Sequence, residues 1–344
     1  MTQTAQNDEN SAKNADNGEN DAVIAQFEAT AAKLSAARDS LNSVVYGQET
    51  VVNLVLTTLA AAGHGLLVGA PGLAKTLLVT SVADILGLSA KRVQFTPDLM
   101  PGDILGSEVL EESADGQRAF RFIPGPVFCQ LLMADEINRA SPRTQSALLQ
   151  AMQEHHVTVA GERHDLPEPF HVLATQNPIE QEGTYPLPEA QLDRFLMQID
   201  IDYPDLDAER QMLAATTGVN TATTTAVMTH AELQQAQNFV RRMPIGEQVV
   251  DAILALVRAA RPNEGGAEQT TEHVAWGPGP RASQAFSLCA RAYALLDGRH
   301  APSLDDVRAL AKPILRHRMA LKFSARSKGV TVDSFIDDIL NDVT

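Results

Sequence analysis

Residues 65–76, Gly65-Leu-Leu-Val-Gly-Ala-Pro-Gly-Leu-Ala-Lys-Thr76, decide how the rest of the chain is read. A short apolar run, Gly65–Val68, ends in a glycine-bearing loop, and a Lys-Thr pair opens a helical pattern over Ala74–Leu86. In this arrangement free backbone N–H groups converge at a helix N-terminus, where the helix dipole also favours an anion. Gly69 and Gly72 let the loop Gly69-Ala70-Pro71-Gly72-Leu73-Ala74 wrap a phosphate chain without Cβ clashes. Lys75 supplies charge to the β- and γ-phosphates, and Thr76 offers a hydroxyl to Mg²⁺. The usual pattern has glycine directly before the lysine, and here Ala74 stands there. Alanine is tolerable there if that residue is already near helical φ/ψ, and the loop is read as a variant. The bland alternative is a glycine turn with an exposed lysine; the agreement of strand, loop and helix favours phosphate binding.

A triphosphate site needs a second strand ending in carboxylates. Leu131-Leu-Met-Ala-Asp-Glu136 is an apolar run closed by Asp135 and Glu136. Asp135 can hold the Mg²⁺ shell, and Glu136 can orient and deprotonate the attacking water. Alone this would read as a strand with a solvated turn, but after a phosphate loop it points to nucleotide hydrolysis. His171-Val-Leu-Ala-Thr-Gln-Asn-Pro178 follows the same logic. Ligands of open α/β sheets bind at the carboxyl ends of parallel strands, so Asn177 can polarise the water against the γ-phosphate. A simple Asn-Pro turn is the competing reading.

Further strand candidates are Val93–Phe95 and Met197–Ile201, with helical patterns such as Pro142–Gln153 between strands. This alternation predicts an α/β fold with a mainly parallel sheet over residues 23–205. A helical pattern through Val23, Phe27, Ala31, Leu34 and Leu41 leads into it. After Tyr203-Pro204 helices take over, at about 230–243, 247–260, 281–296 and 304–319, with the Thr-rich stretch Thr216–Thr225 read as a loop. Residues 206–344 are therefore expected to form a smaller all-α lid domain. Thr229 and Glu232 are spaced as a capping box, and Ser141-Pro142 as an N-cap followed by proline.

The 344 residues carry 27 Lys+Arg against 43 Asp+Glu, a net charge of -16. Residues 1–22, rich in Asn, Asp and Glu and nearly free of large apolar side chains, read as a disordered acidic tail. Together with the acidic segment 331–344 they hold half of that charge, so the field of the whole chain says little about the core. The first residues contain no apolar core of a signal peptide, and no run approaches a membrane span, so a cytoplasmic protein is expected. Cys129 and Cys289 read as small buried apolar residues rather than a disulfide framework.

These stretches resemble the AAA+ ATPases, and more closely the MoxR family. The resemblance spans about residues 40–320. It rests on Gly69–Thr76, on 94–104, on 122–128, and on Ala134-Asp-Glu-Ile-Asn-Arg-Ala-Ser-Pro-Arg-Thr-Gln145. It continues through residues 174–195, which end in Leu192-Asp-Arg-Phe195. The resemblance implies a ring-forming, commonly hexameric ATPase using ATP and Mg²⁺, with nucleotide bound between neighbouring subunits. Asn177 matches the sensor-1 position, Arg194 the arginine finger and Arg281 sensor 2. Tyr46-Gly47-Gln48 matches the segment lining the adenine pocket. Arg281 has independent support, since a cation in the first turn of a helix opposes the dipole and an anion would relieve it. A surface ion pair is its plain alternative. Arg194 by itself reads as an ordinary exposed arginine beside Asp193. Arg139 reads equally as a neighbour contact or a helix-flanking surface residue, and Arg316-His317-Arg318 as cations completing a helix end.

The resemblance further implies a chaperone that remodels or matures a client protein, with a partner carrying a von Willebrand factor type A domain. A DNA-dependent motor and a metal-chelatase-type ATPase subunit are the alternatives, and a nucleotide-dependent scaffold without turnover is a third. Two candidate pore hairpins help to choose. Near 154–166, Glu154, Glu162 and Asp165 oppose Arg163. Near 107–121, Glu108, Glu111, Glu112 and Asp115 oppose Arg118 and Arg121. A pore that grips phosphates needs surplus Lys and Arg. Both hairpins are acidic, which favours a protein client and argues against nucleic acid. The intact Asp135-Glu136 pair argues against the scaffold.

Overall fold

The computed structural model describes residues 23–112, 118–179, 183–217, 224–262 and 268–343. The acidic tail expected at 1–22 and most of the Thr-rich stretch lie outside them. Residues 23–42 form α1, which buries Phe27, Ala31, Leu34 and Leu41 at helical spacing. Next come α2 (Glu49–Ala60), β1 (Gly65–Gly69), α3 (Lys75–Ile85) and β2 (Ala90–Gln94). The short α4 (Pro101–Leu105) leads into an antiparallel hairpin of β3 (Gly106–Glu112) and β4 (Arg118–Pro124). β5 (Leu131–Asp135) and α5 (Pro142–Glu154) precede a second hairpin, β6 (His156–Val159) and β7 (Glu162–Asp165). Then follow β8 (His171–Gln176), α6 (Glu189–Leu192) and β9 (Met197–Ile201).

The five predicted strands pair in the order β2-β5-β8-β1-β9, and every neighbouring pair is parallel. The apolar runs are nearly continuous because the sheet is covered on both faces. Leu67, Met133, Leu173 and Ile199 enter one core, and Leu66, Leu132, Val172 and Ala174 the other. Adjacent residues thus serve opposite faces, as strand geometry demands. Ser141 caps α5 by accepting the Thr144 N–H, with Pro142 as the first helical residue.

The remaining elements are α7 (Leu206–Thr216), α8 (His230–Arg242), α9 (Glu247–Ala259), α10 (Glu268–His273), β10 (Val274–Trp276) and α11 (Pro280–Leu296). The chain ends with α12 (Leu304–Leu315), β11 (Ala320–Leu321), α13 (Phe323–Ser327) and α14 (Val332–Val343). This part is helical, as expected, and the Thr229–Glu232 capping box forms. One detail was not legible: β10 and β11 pair antiparallel. Strands of two and three residues are too short to leave a period-2 pattern. Among the described residues no helix is long and apolar enough to cross a membrane.

The first core does not stop at the sheet. It runs through α2 into the buried sides of α8, α11 and α12. The helix α1 adds to the same side, with Phe27 edge-on to Phe239 at 5.9 Å, Arg38 paired to Asp297 at 3.1 Å and Lys33 paired to Glu232.

Two buried histidines sit along this seam. Val172 N–H donates to His64 Nδ1 at 2.9 Å, so Nε2 carries the proton that meets the Met152 carbonyl at 3.1 Å. His171 meets the Gly63 carbonyl through Nδ1, and Gln237 of α8 contacts its Nε2 at 3.0 Å. Protonating either ring would turn an acceptor into a donor facing a donor. Burial, reinforced by the neighbouring His171, lowers His64 to about 3, and burial lowers His171 to about 4. Because both folded values lie below the ordinary histidine value, their stability contribution is complete above about pH 6.5 and is lost as pH falls towards 4. Each histidine should cost up to about 1.4 kcal/mol per pH unit in that window. The urea midpoint should therefore fall clearly between pH 7 and pH 5; an unchanged midpoint would contradict the assignment.

Candidate active site

The carboxyl ends of β1, β8 and β5 lie side by side, and the chain leaves each of them carrying site residues. A cavity of about 360 Å³ is lined by Pro71–Thr76, Asp135, Glu136 and Asn177, together with Arg92 and Thr175. Three separate stretches predicted from the sequence thus meet in one place.

The phosphate loop has the geometry its glycines require. Gly72 has φ +85°, and a Cβ there would point into open space. Gly69 needs its missing side chain for a different reason, since a Cβ would lie 2.6 Å from the Ile201 carbonyl of β9. Lys75 donates through Nζ to the carbonyls of Gly69 (2.8 Å) and Ala70 (2.7 Å), which holds the ammonium over the loop. Partial burial pushes this ammonium below its ordinary value, against the charges of Asp135 and Glu136. Ala74 requires a correction. It is not near right-handed helical φ/ψ but left-handed, at φ 55° and ψ 20°, as the N-cap of α3. That conformation explains why glycine is usual there, and alanine bears roughly 1–2 kcal/mol of strain.

Glu136 is held in the same unusual region, at φ 55° and ψ 50°. Strain of this kind persists only where surrounding contacts impose it. Thr175 Oγ1 accepts the Glu136 N–H at 2.8 Å and donates to Asp135 Oδ1 at 2.5 Å, so one hydroxyl fixes both acidic residues. Arg92 donates to the other Asp135 oxygen through Nε (3.1 Å) and Nη2 (2.5 Å). Gln94 Nε2 and Arg139 Nη1 both donate to Glu136 Oε2, at 2.7 and 2.9 Å. Arg139, readable from sequence in two ways, thus touches the acidic pair of its own chain. Asn177 is buried; its Oδ1 accepts the Ile179 N–H at 3.0 Å, and its Nδ2 has no partner among the described residues. A buried amide donor facing this cavity is suited to an anionic ligand. The Thr76 hydroxyl and the Asp135 carboxylate, both hard oxygen donors in the same cavity, fit Mg²⁺.

Sequence reasoning missed Arg92, Thr175 and the hold of Gln94 on Glu136. A signal existed for two of them. β2 is an edge strand with polar residues at alternate positions 92 and 94, and it pairs with the acid-ended β5, Gln94 opposite Asp135. Thr175 sits inside an apolar run and offers no such sign.

Other predicted residues lie elsewhere. Gln48 Nε2 donates to the Asp202 carbonyl at 2.8 Å, and Gly47 (φ +66°) packs against Ala208 and Pro204. Tyr46-Gly47-Gln48 therefore borders the end of β9, the strand on which Gly69 also closes, without lining the cavity. Arg194 and Arg281 do not line the cavity either. Both face a second cavity of about 250 Å³ with Asp193 and Arg318. Arg281 stands in the first turn of α11, as expected, 3.8 Å from Asp193, so the surface ion pair exists. Arg194 Nη1 donates to the Leu149 carbonyl at 2.5 Å.

A phosphate loop after β1, an acidic pair at the end of β5, a buried asparagine after β8 and a helical lid define a P-loop ATPase of the AAA class. Residues 64–197 match the ATPase family associated with various cellular activities (AAA), and residues 266–339 match the AAA lid domain. Chaperone MoxR1 of Mycobacterium tuberculosis is 39% identical over 311 residues, covering 90% of this chain and 81% of its own. Protein MoxR of Paracoccus denitrificans is 33% identical over 309 residues, covering 84% and 89%. The crystal structure of a Cytophaga hutchinsonii protein assigned as an ATPase superposes with a TM-score of 0.87 at 36% identity, covering 95% of this chain and 98% of that one. The chain belongs to the MoxR family of AAA+ ATPases.

Thr175→Val keeps the shape of the side chain and removes both hydroxyl bonds. It should leave nucleotide affinity close to wild type while lowering turnover by about tenfold or more, a loss of roughly 1–3 kcal/mol from the unsatisfied groups. Filter-binding and steady-state hydrolysis measured together check this; equal loss in both would mean that Thr175 supports the loop rather than the acidic pair.

Proposed function

We propose that this protein hydrolyses ATP to ADP and phosphate within a ring of identical subunits, and uses the accompanying conformational change to remodel or mature a client protein. The observation that carries the reading is the meeting of Lys75, Asp135, Glu136 and the unpartnered Asn177 amide in one cavity. In it, backbone N–H groups of Gly69–Thr76 and the Lys75 ammonium bind the phosphates. Thr76 and Asp135 would hold Mg²⁺, which when bound would supply positive charge to the phosphoryl oxygens. Glu136 takes a proton from the attacking water, and Asn177 donates to that water or to the γ-phosphate. The Tyr46–Gln48 segment borders the adenine.

Arg194 and Arg281 act on the nucleotide of the neighbouring subunit in this reading. Support comes from their absence from the lining of their own phosphate-loop cavity and from their sharing a second cavity. A hexamer is the ring size we infer from the family.

The hairpins support a protein client. Phe122 of β4 stacks on His164 of β7 at 3.8 Å, which joins the two hairpins. The β3–β4 hairpin exposes Leu110 and Phe120, directly opposite each other, beside Glu108 and the ion pairs Glu111–Arg121 and Glu112–Arg118. Exposed apolar side chains among paired charges, with no surplus of Lys or Arg, suit a polypeptide better than a phosphate backbone. A von Willebrand factor type A domain protein is the partner we infer, and a cytoplasmic location accords with the chemistry.

Glu136→Gln should bind ATP and stop turnover, and Arg194→Ala should bind ATP and lose turnover by about a thousandfold. Mixed in one ring, the two variants should regain activity, since the intact site of one then faces the intact arginine of the other. Failure of Arg194→Ala to recover on mixing rules out its action across the interface. Addition of single-stranded DNA should leave hydrolysis unchanged; strong stimulation would favour the motor reading.

A further inference from the structure

Arg316-His317-Arg318 is not a solvated helix end. The three residues form a 3₁₀ turn after α12, and His317 and Arg318 are buried, Arg318 to 2% exposure. A buried guanidinium is strongly destabilising unless its donors are satisfied, and these are. Arg318 Nε donates to Asp193 Oδ1 (2.7 Å), Nη1 to the carbonyls of Leu196 (3.0 Å) and Ile314 (2.7 Å), and Nη2 to those of Phe195 (2.7 Å) and Asp193 (3.5 Å). Four of these five bonds end on residues 193–196. His317 Nε2 meets the same Phe195 carbonyl at 3.0 Å. Arg316 extends the grip, pairing with Asp200 in β9 and Asp333 in α14.

The clamped segment contains Arg194. Its neighbour Asp193 gives one carboxylate oxygen to Arg318 and turns the other towards Arg281 at 3.8 Å. The lid thus grips the backbone on both sides of Arg194 and, through one carboxylate, orients a second cation beside it. Stability alone would be served as well by apolar packing at this depth; a planar fork bonded to Asp193, Phe195 and Leu196 fixes the orientation of the segment that carries Arg194.

We propose that Arg318 is a positioning residue for the arginine finger, holding Arg194 to the lid beside Arg281 so that both reach the neighbouring subunit's phosphates as one rigid unit. This rests on the reading that Arg194 acts across the subunit interface. Movement of the subunit then carries both cations together towards the next site, since the segment bearing Arg194 is bonded to the lid that bears Arg281.

The test uses the full chain, with Arg318→Lys retaining charge but not the fork, and Asp193→Asn retaining shape but not charge. Each should bind ATP as wild type does, because its own phosphate loop is untouched, and each should lose turnover, by about a hundredfold for a displacement of about 1 Å. Mixing either variant with Glu136→Gln should restore turnover, as mixing Arg194→Ala does, because the defect lies in what the subunit donates. A merely structural role would weaken ATP binding together with turnover and would not be rescued. Wild-type turnover in both variants, or a loss that mixing does not restore although it restores Arg194→Ala, overturns the proposal. If Arg194→Ala itself is not restored, the reading across the interface fails and the positioning role falls with it. Should Arg318→Lys not fold, Asp193→Asn decides alone.

Discussion

Two carboxylates at the end of a fully buried strand are the constraint on which the nucleotide site depends. Every side chain of β5 is buried, including that of Asp135. Charge at such a depth must be matched by hydrogen bonds or opposite charge. Thr175 reaches in from β8, Arg92 and Gln94 from β2, and Arg139 from the turn that follows. Strand order is what makes this possible, because β5 lies between the two strands that supply its partners. The left-handed backbone of Glu136 is a further consequence: the chain must turn away sharply while its N–H stays on Thr175.

The same economy of position separates the cations of the chain into two sets. Lys75 and Arg92 serve the cavity of their own subunit. Arg194 and Arg281 gather around Asp193 on another surface. The acidic C-terminal segment, counted in the sequence as free negative charge, is partly paired as well: Asp333 holds Arg316 and Asp337 holds Lys312. Net charge was therefore a poor guide to chemistry, and the distribution of partners a good one.

Much of the fold was legible because its signals are local. Strands buried on both faces read as apolar runs, glycines mark the phosphate loop, and the Thr229 and Ser141 caps follow from short-range hydrogen bonding. Both hairpins were expected from the family resemblance rather than from a local signal. The illegible features are those set by tertiary contact. Ala74 was read as helical because nothing in the sequence says that its φ is positive. Thr175 looked like one more strand residue, and Arg318 like a helix-end cation, because their partners lie 40 and 125 positions away. The β10–β11 pair was hidden by brevity.

The core that runs unbroken from the sheet through α2 into the lid has a mechanical meaning. A subunit whose two parts share one densely packed interior has no soft hinge between them, since bending there would open apolar surface to water. In the proposed ring, elastic compliance would then reside at the joints between subunits. Work released at one phosphate site would travel around it as the tilt of stiff bodies, each passing torque to the next, and the hairpins would sweep with the body that carries them.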